Sequence, residues 1–188
     1  MRNPMAANDP LWPITIVRMT SAEEAERWFP ALSRFAPFAL PWIVDDCDEP
    51  MTPMQWVENT LSWLPNVWLG VDALDSDTAS IWLMGGLDDV IPNHSASIHG
   101  MAHPLLNTRS SRSHAAKRWM AQALFSATFD EYGCHTLTAT VPTTHAGARG
   151  FCLNHGFKTQ STAASDTSKK YTLSAAHYYL RRNAHVPR

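Results

Sequence analysis

One amphipathic helix with a strand pattern on each side limits the folds open to this chain. Its apolar residues recur at the i, i+3, i+4 and i+7 spacing of one buried face. These residues are Ala116, Trp119, Met120, Ala123, Leu124 and Ala127. Residues 95–103 before the helix and 135–141 after it alternate with a period of two, and Gly133 is placed to end the helix. A strand, a helix and a strand in this order predict a right-handed crossover between neighbouring parallel strands.

Two further helices have start signals in the N-terminal half. Ser21 with Glu24, and Thr52 with Gln55, fit the capping box, in which a hydroxyl and a longer polar side chain pair with backbone N–H groups. Pro30 interrupts the apolar stripe after the first box, so we expect that helix to be short, kinked or split.

The rest of the chain reads as short strands and one short helix. The predicted strands cover residues 13–20, 67–73, 81–87, 157–162 and 175–183, and the helix covers residues 145–156. A turn at residues 75–80, between the predicted strands at 67–73 and 81–87, indicates a hairpin. Together the elements predict an α/β protein, with a central mixed sheet flanked by helices on both faces.

Composition narrows the class of protein. The 188 residues suit one domain, and a formal net charge of −2 gives no bulk attraction to nucleic acid or to an anionic membrane. No apolar run reaches the ~20 residues of a membrane span, and the first ten residues lack the apolar core of a secretory signal. Three scattered cysteines, Cys47, Cys134 and Cys152, argue against a disulfide framework. We therefore expect a cytoplasmic protein.

Tryptophan is unusually frequent. Five of the eight tryptophans fall between residues 42 and 82: Trp42, Trp56, Trp63, Trp68 and Trp82. They either fill the core or line a groove, and the core interpretation is favoured because aromatic rings mostly serve burial.

Three local patterns in residues 95–158 resemble the GNAT (GCN5-related N-acetyltransferase) superfamily. A strand ending at His103-Pro104 runs into a polar, basic loop at the start of the amphipathic helix. The helix ends in FDEYG and leads at once into an alternating strand. The next helix ends in Gly156-Phe157, with Ala148 and Cys152 at the places where the family has alanine and tyrosine. The resemblance implies the GNAT fold and acetyl transfer from acetyl-CoA to an amine.

The resemblance also implies where acetyl-CoA binds. In the family a loop of the form Arg/Gln-x-x-Gly-x-Gly/Ala holds the pyrophosphate against a helix N-terminus, where backbone N–H groups are unpaired. If Arg112 starts that motif, Ala115 and Lys117 take the two glycine places; if Arg109 starts it, Arg112 and His114 do. Neither alternative supplies a glycine. The residues expected to contact the cofactor are Arg109, Arg112, Ser113, His114, Ala115 and Lys117.

Catalytic groups follow from the same resemblance. The base often lies on the strand before the loop, where His99 and His103 have a suitable pKa. The acid is a tyrosine in many members; Cys152 stands at that place, and Tyr178 or Tyr179 on the expected last strand is a substitute. No metal site is expected, because His99 and His103 on one strand would be ~13 Å apart.

The substrate side and the domain boundaries complete the hypothesis. An acidic run at residues 45–49 would attract a cationic amine, in a small molecule or a protein, although a solvated loop is the simpler interpretation. We expect one domain over 1–188: an N-terminal half with acceptor-side helices (1–94), a core like an acetyl-CoA site (95–158) and C-terminal strands (159–188). The alternative function is a catalytically inactive GNAT-like binding or structural protein, such as a bacteriophage virion component with a protein assembly partner.

Overall fold

The computed structural model describes residues 14–42, 51–107, 111–160 and 167–184. Within these ranges the chain forms seven strands and five α-helices. The strands are β1 (Thr15–Met19), β2 (Val67–Val71), β3 (Ile81–Ile91), β4 (Ser95–Ala102), β5 (Thr136–Pro142), β6 (Lys158–Thr159) and β7 (Ser168–Ser174). The helices are α1 (Ala22–Ala39), α2 (Pro53–Leu61), α3 (Ser111–Ser126), α4 (Ala146–Asn154) and α5 (Ala175–Ala184). The α/β prediction is confirmed.

The seven strands form one mixed sheet in the order β1-β2-β3-β4-β5-β7-β6. The strands β4 and β5 run parallel and pair at Ser95–Ser97 and Thr136–Thr138, as predicted for the two segments joined by the long helix. This parallel ladder ends after three pairs, although both strands continue. The hairpin prediction is also confirmed, because β2 pairs antiparallel with β3.

The chain divides into two compact units. The first contains Met1–Gly86 and Gly100–Ala123, and the second contains Leu87–His99 and Leu124–Arg188. In the first unit α1 and α2 bury their apolar sides with β1, β2 and the start of β3. Trp56 and Trp68 are buried in this unit, which supports the core interpretation for these two tryptophans. The side chain of Trp42 lies outside the described residues.

The expectation that α1 is short or split was wrong. The helix runs for 18 residues and contains both Pro30 and Pro37. Each proline removes one backbone hydrogen bond and strains the preceding turn. Both prolines lie on the exposed side, whereas the opposite stripe is buried, including Trp28, Leu32 and Phe35. Burial of that stripe outweighs the loss of the two bonds. The predicted capping box of Thr52 and Gln55 is confirmed. At Ser21 the hydroxyl accepts the Glu24 N–H at 3.3 Å as predicted, but the Glu24 carboxylate accepts the N–H of Thr20 at 2.6 Å.

The C-terminal prediction was wrong as well. Residues 175–183 were expected to form a strand, and they lie in helix α5. The strand is β7, just before it, which pairs with β5 along seven residues. A cap explains the switch, since the Ser174 hydroxyl accepts the His177 N–H at 3.3 Å. Arg181 and Arg182 in the last turn suit the negative end of the helix dipole.

The buried face of α3 differs from the prediction at two residues. Ala116, Met120, Leu124 and the following Ala127 are buried, but Trp119 is 42% exposed and Ala123 is half-buried. The buried stripe includes Ala121 and Phe125, and Trp119 lies on the other side of Met120, about 100° around the helix. A π-helical turn (Ala127–Glu131) follows α3, and Gly133 with a φ of 62° ends it as predicted. Within the described residues, no helix is long and apolar enough to cross a membrane.

Candidate active site

Both alternatives for the predicted cofactor loop stay open. The helix α3 includes Ser111, so Arg112 and His114 lie near its described start, and Ala115 and Lys117 lie about one turn further along. N–H groups in the first turn of a helix lack partners inside it, but residues 108–110, which directly precede Ser111, lie outside the described residues. Arg109 itself and the side chain of Arg112 lie outside the described residues.

The side chains near this helix start differ in how they are used. Ser113 is buried, and its hydroxyl donates a hydrogen bond to the carbonyl oxygen of Leu106. That hydroxyl thus joins the helix to the preceding turn instead of facing a ligand. His114 is exposed, and Ala115 is half-buried. Lys117 is half-buried, and burial lowers the pKa of its ammonium group.

His103 lies in an aromatic cluster of the first unit. Its ring centroid is 4.3 Å from that of Phe38, 4.9 Å from that of Trp82 and 6.4 Å from that of Phe35. Its Nδ1 accepts the backbone N–H of Leu105 at 3.2 Å. In the neutral ring this bond assigns the proton to Nε2. Burial lowers the pKa of His103, so the ring is neutral at neutral pH and offers a donor, with its one basic nitrogen already in use.

His99 belongs to the second unit and is paired differently. Its Nε2 lies 3.9 Å from Asp88 Oδ2, and both side chains are 42% exposed. Burial lowers the pKa of His99, while the charges of Asp88 and Asp89 partly oppose that shift. The imidazole is therefore largely uncharged at neutral pH, as a general base must be. The sequence analysis missed Asp88, since the β3–β4 pairing that brings it near His99 has no local signal.

Cys152 and Tyr178 both belong to the second unit. Cys152 is buried, and Tyr178 is half-buried. Cys152 on α4 is 3% exposed, and burial raises the pKa of its thiol to about 11. Tyr178 lies on α5 and not on a strand; its ring stacks on Phe129 with centroids 4.8 Å apart. Burial and the charge of Asp130 raise the pKa of Tyr178. Both groups are protonated at neutral pH.

The structure thus groups the predicted residues in two sets. The second unit contains His99, Cys152 and Tyr178, and the first unit contains His103, Ser113, His114, Ala115 and Lys117. The acidic run at 45–49 lies outside the described residues. Among the residues that are described, no group of three or more histidine, cysteine, aspartate or glutamate side chains is placed to bind a metal ion.

Solved acetyltransferases share this fold. The ribosomal-protein-S5-alanine acetyltransferase of Vibrio fischeri superposes with a TM-score of 0.61 at 10% identity, over 88% of this chain and 94% of that chain. The yncA protein of Salmonella typhimurium, solved with its cofactor acetyl-CoA, gives 0.58 at 11% identity, over 86% and 94%. A GCN5-related N-acetyltransferase of Brucella melitensis gives 0.57 at 15% identity, over 91% and 80%. These likenesses show that the chain has the GNAT fold.

No protein-family model matches the chain, and no curated protein matches it. At 10–15% identity the chain is a divergent example of the fold.

Proposed function

We propose that this protein is an acetyl-CoA-dependent N-acetyltransferase that passes the acetyl group directly to an amine. The observation that carries the proposal is the β4–α3–β5 crossover with its short parallel ladder, within a fold that this chain shares with solved acetyltransferases. Fold alone does not establish an activity. The residues on these elements must therefore supply the chemistry.

His99 is the base in this proposal. A neutral amine attacks the thioester carbon, the N–C bond forms, the C–S bond breaks, and the amine loses a proton to the imidazole. His99 suits this step because its lowered pKa leaves the ring uncharged at neutral pH. Asp88 lies close enough to stabilise the imidazolium that forms. His103 is less suited, because Leu105 already occupies its unprotonated nitrogen.

The proposal needs no acid from the protein. A thiol pKa of about 11 makes Cys152 a weaker acid than an ordinary thiol at ~8.5, so proton transfer from it to the leaving thiolate runs uphill. Tyr178 packs on Phe129 in the π-helical turn that follows α3. A thiolate is a good leaving group and takes its proton from solvent. The acid roles predicted for Cys152 and Tyr178 stay predictions.

One observation favours the alternative of an inactive GNAT-like protein. The described start of α3 has no glycine, and the Ser113 hydroxyl is used within the fold. Both features weaken a phosphate site built from close backbone contacts. Under this alternative the protein binds an assembly partner, such as a bacteriophage virion protein, and does not turn over acetyl-CoA. Under the leading proposal it acts in the cytoplasm on an amine of a small molecule or a protein.

Release of the CoA thiol in the presence of amines tests the activity. We expect turnover by the unmodified protein, and a fall of ~10²–10⁴-fold in kcat for His99→Gln with unchanged acetyl-CoA affinity. His94→Gln is the matched control, because His94 is an exposed histidine directly before the same strand. Full activity in His99→Gln would exclude His99 as the base. No thiol release with any amine, despite a folded protein, would favour the inactive alternative.

A further inference from the structure

We propose that His103 is a positioning residue whose neutral imidazole holds the turn before α3, so that protonation of the ring loosens the helix start. This inference rests on the proposed function in one respect: the helix start concerned is the one to which acetyl-CoA is assigned. The role differs from that of a base, because His103 acts here through the backbone and not on the amine.

A chain of hydrogen bonds connects His103 to α3. The His103 N–H donates to the Trp82 carbonyl at 2.9 Å, and its own carbonyl accepts the Leu106 N–H at 2.8 Å. Nδ1 accepts the Leu105 N–H at 3.2 Å. The Leu106 carbonyl then accepts the Ser113 hydroxyl, which lies within α3. Backbone and ring of His103 therefore fix the 3-10 turn Pro104–Asn107, and Ser113 fixes the helix to that turn.

Two aromatic side chains pack against the His103 ring and restrict its movement. Phe38 packs against the ring at a centroid distance of 4.3 Å, and Trp82 meets it edge-on at 4.9 Å. None of the three aromatic side chains around His103, which are Phe35, Phe38 and Trp82, titrates. A charged group contacts one of these rings at Asp72, whose Oδ2 accepts the Trp82 indole N–H at 2.9 Å. On α1, Arg34 is bonded to the carbonyls of residues 76 and 79.

Protonation of His103 would remove the acceptor that the turn uses. Nδ1 of an imidazolium is a donor, so it would face the Leu105 N–H, which is also a donor. The side chain of Leu105 is 52% exposed, so apolar packing does little to hold that part of the turn in place. The hydrogen bond at Nδ1 is therefore the contact that most directly orders the first half of the turn.

Two variants separate the acceptor from the titration. In His103→Asn the side-chain oxygen can accept the N–H two residues on, as in an Asx turn, and it does not titrate. His103→Leu keeps apolar bulk among the rings and has no acceptor. A catalytic base would fail in both variants, whereas a positioning acceptor is restored by asparagine.

The test measures amide hydrogen exchange of Leu105 and Leu106 by NMR, and CoA affinity by calorimetry, at about pH 7.5 and about pH 5.5. In the unmodified protein we expect protection of the Leu105 amide, corrected for intrinsic exchange, to fall at the lower pH by less than about tenfold, because the lowered pKa of His103 leaves part of the rings neutral there. His103→Asn should keep its protection at both pH values, and His103→Leu should lack it at both. Thermal melts identify any variant that does not fold.

The calorimetric arm uses His103→Asn as the reference at each pH, because the phosphate groups of CoA also titrate near this range. We expect the unmodified protein to lose affinity on acidification relative to this variant. Leu105 protection that is the same at both pH values in the unmodified protein would overturn the inference. If the Leu105 response occurs but CoA does not bind at either pH, the proposed function fails and the coupling of His103 to the turn is supported.

Discussion

Nε2 of His99 lies 3.9 Å from Oδ2 of Asp88, which joins a half-exposed imidazole on β4 to a carboxylate on β3. The carboxylate favours the imidazolium and so raises the pKa of His99 against the larger lowering effect of burial. Asp89 acts in the same direction with a smaller effect. Burial and the two carboxylates together therefore set the pH range over which His99 can accept a proton.

Replacing Asp88 by asparagine should lower the pKa of His99, because it removes the stronger of the two charges that favour protonation. The acidic limb of the kcat/KM profile should move to lower pH, and an NMR titration of the imidazole should show the same shift. Asp89→Asn is the control and should produce a smaller shift in the same direction. A larger shift in Asp89→Asn than in Asp88→Asn would contradict this assignment.

A second carboxylate ties α5 to the π-helical turn. Asp130 accepts the Arg182 guanidinium at 2.8 Å, the Ser126 hydroxyl at 2.9 Å and the Tyr179 hydroxyl at 3.1 Å. Burial raises the pKa of Asp130, but the three hydrogen bonds together bring it below its usual value. A depressed carboxylate pKa stabilises the fold above the unfolded value of ~3.9, and this contribution is lost as the pH falls through the folded value.

We expect Asp130→Asn to lower the free energy of unfolding by about 1 kcal/mol at neutral pH, a modest value because the group is partly exposed. Ser126→Ala removes one donor and should cost less. Chemical denaturation measures the stability, and amide exchange along α5 shows whether the loss is local to that helix. Equal stability of Asp130→Asn and the unmodified protein at neutral pH would show that the network contributes nothing.

Two glycines make a matched test of packing. A Cβ at Gly86 would lie 2.6 Å from Cε3 of Trp63, which is too close for any side chain. A Cβ at Gly150, inside α4, would meet no atom within 4 Å. Gly86→Ala should destabilise by ~1–3 kcal/mol through overpacking. Gly150→Ala should stabilise by ~0.5–1 kcal/mol through helix propensity. Thermal melts that rank these variants in the opposite order would show that the packing around Trp63 is misplaced.

Local signals predicted part of this fold. The side-chain caps at Ser21 and Thr52 act within four residues, so the sequence alone marks both helix starts. The crossover through α3 was also predictable, because its long apolar stripe and flanking alternation agree. Pro30 does not interrupt α1, because burial of a whole helix face outweighs one proline. The helix α5 was missed because HYYL resembles a strand, although Ser174 was a cap signal.

The candidate site was less predictable for a physical reason. The resemblance indicated His99 and His103, but it could not show that Nδ1 of His103 is used by the Leu105 N–H. It could not show Asp88 beside His99 either, because that contact depends on the register of two strands. The raised pKa of Cys152 depends on burial by distant parts of the chain. These three properties arise from tertiary structure and have no motif.

Under the proposed function, the alternative in which Arg109 starts the motif predicts how acetyl-CoA affinity can be improved. His114 is exposed, lies near the described start of α3 and takes a glycine place in that alternative. His114→Gly would allow closer contact between phosphate and backbone, and one gained bond to a charged group should tighten acetyl-CoA binding by about tenfold. Ala115→Gly, in the second turn, is the control for the cost of a helical glycine and should leave affinity unchanged. Low-micromolar affinity of the unmodified protein would contradict this argument about glycine.

Calorimetric titration of the purified protein with acetyl-CoA tests the central claim most directly. A helix N-terminus without glycine should still attract the pyrophosphate, but with fewer backbone contacts than a glycine-rich loop. The account predicts saturable binding with one site and a Kd of ~100 µM or somewhat weaker, about 5.5 kcal/mol of binding free energy. The absence of any heat of binding at acetyl-CoA concentrations up to a few times about 1 mM would contradict the account. That result would favour an inactive protein with the GNAT fold.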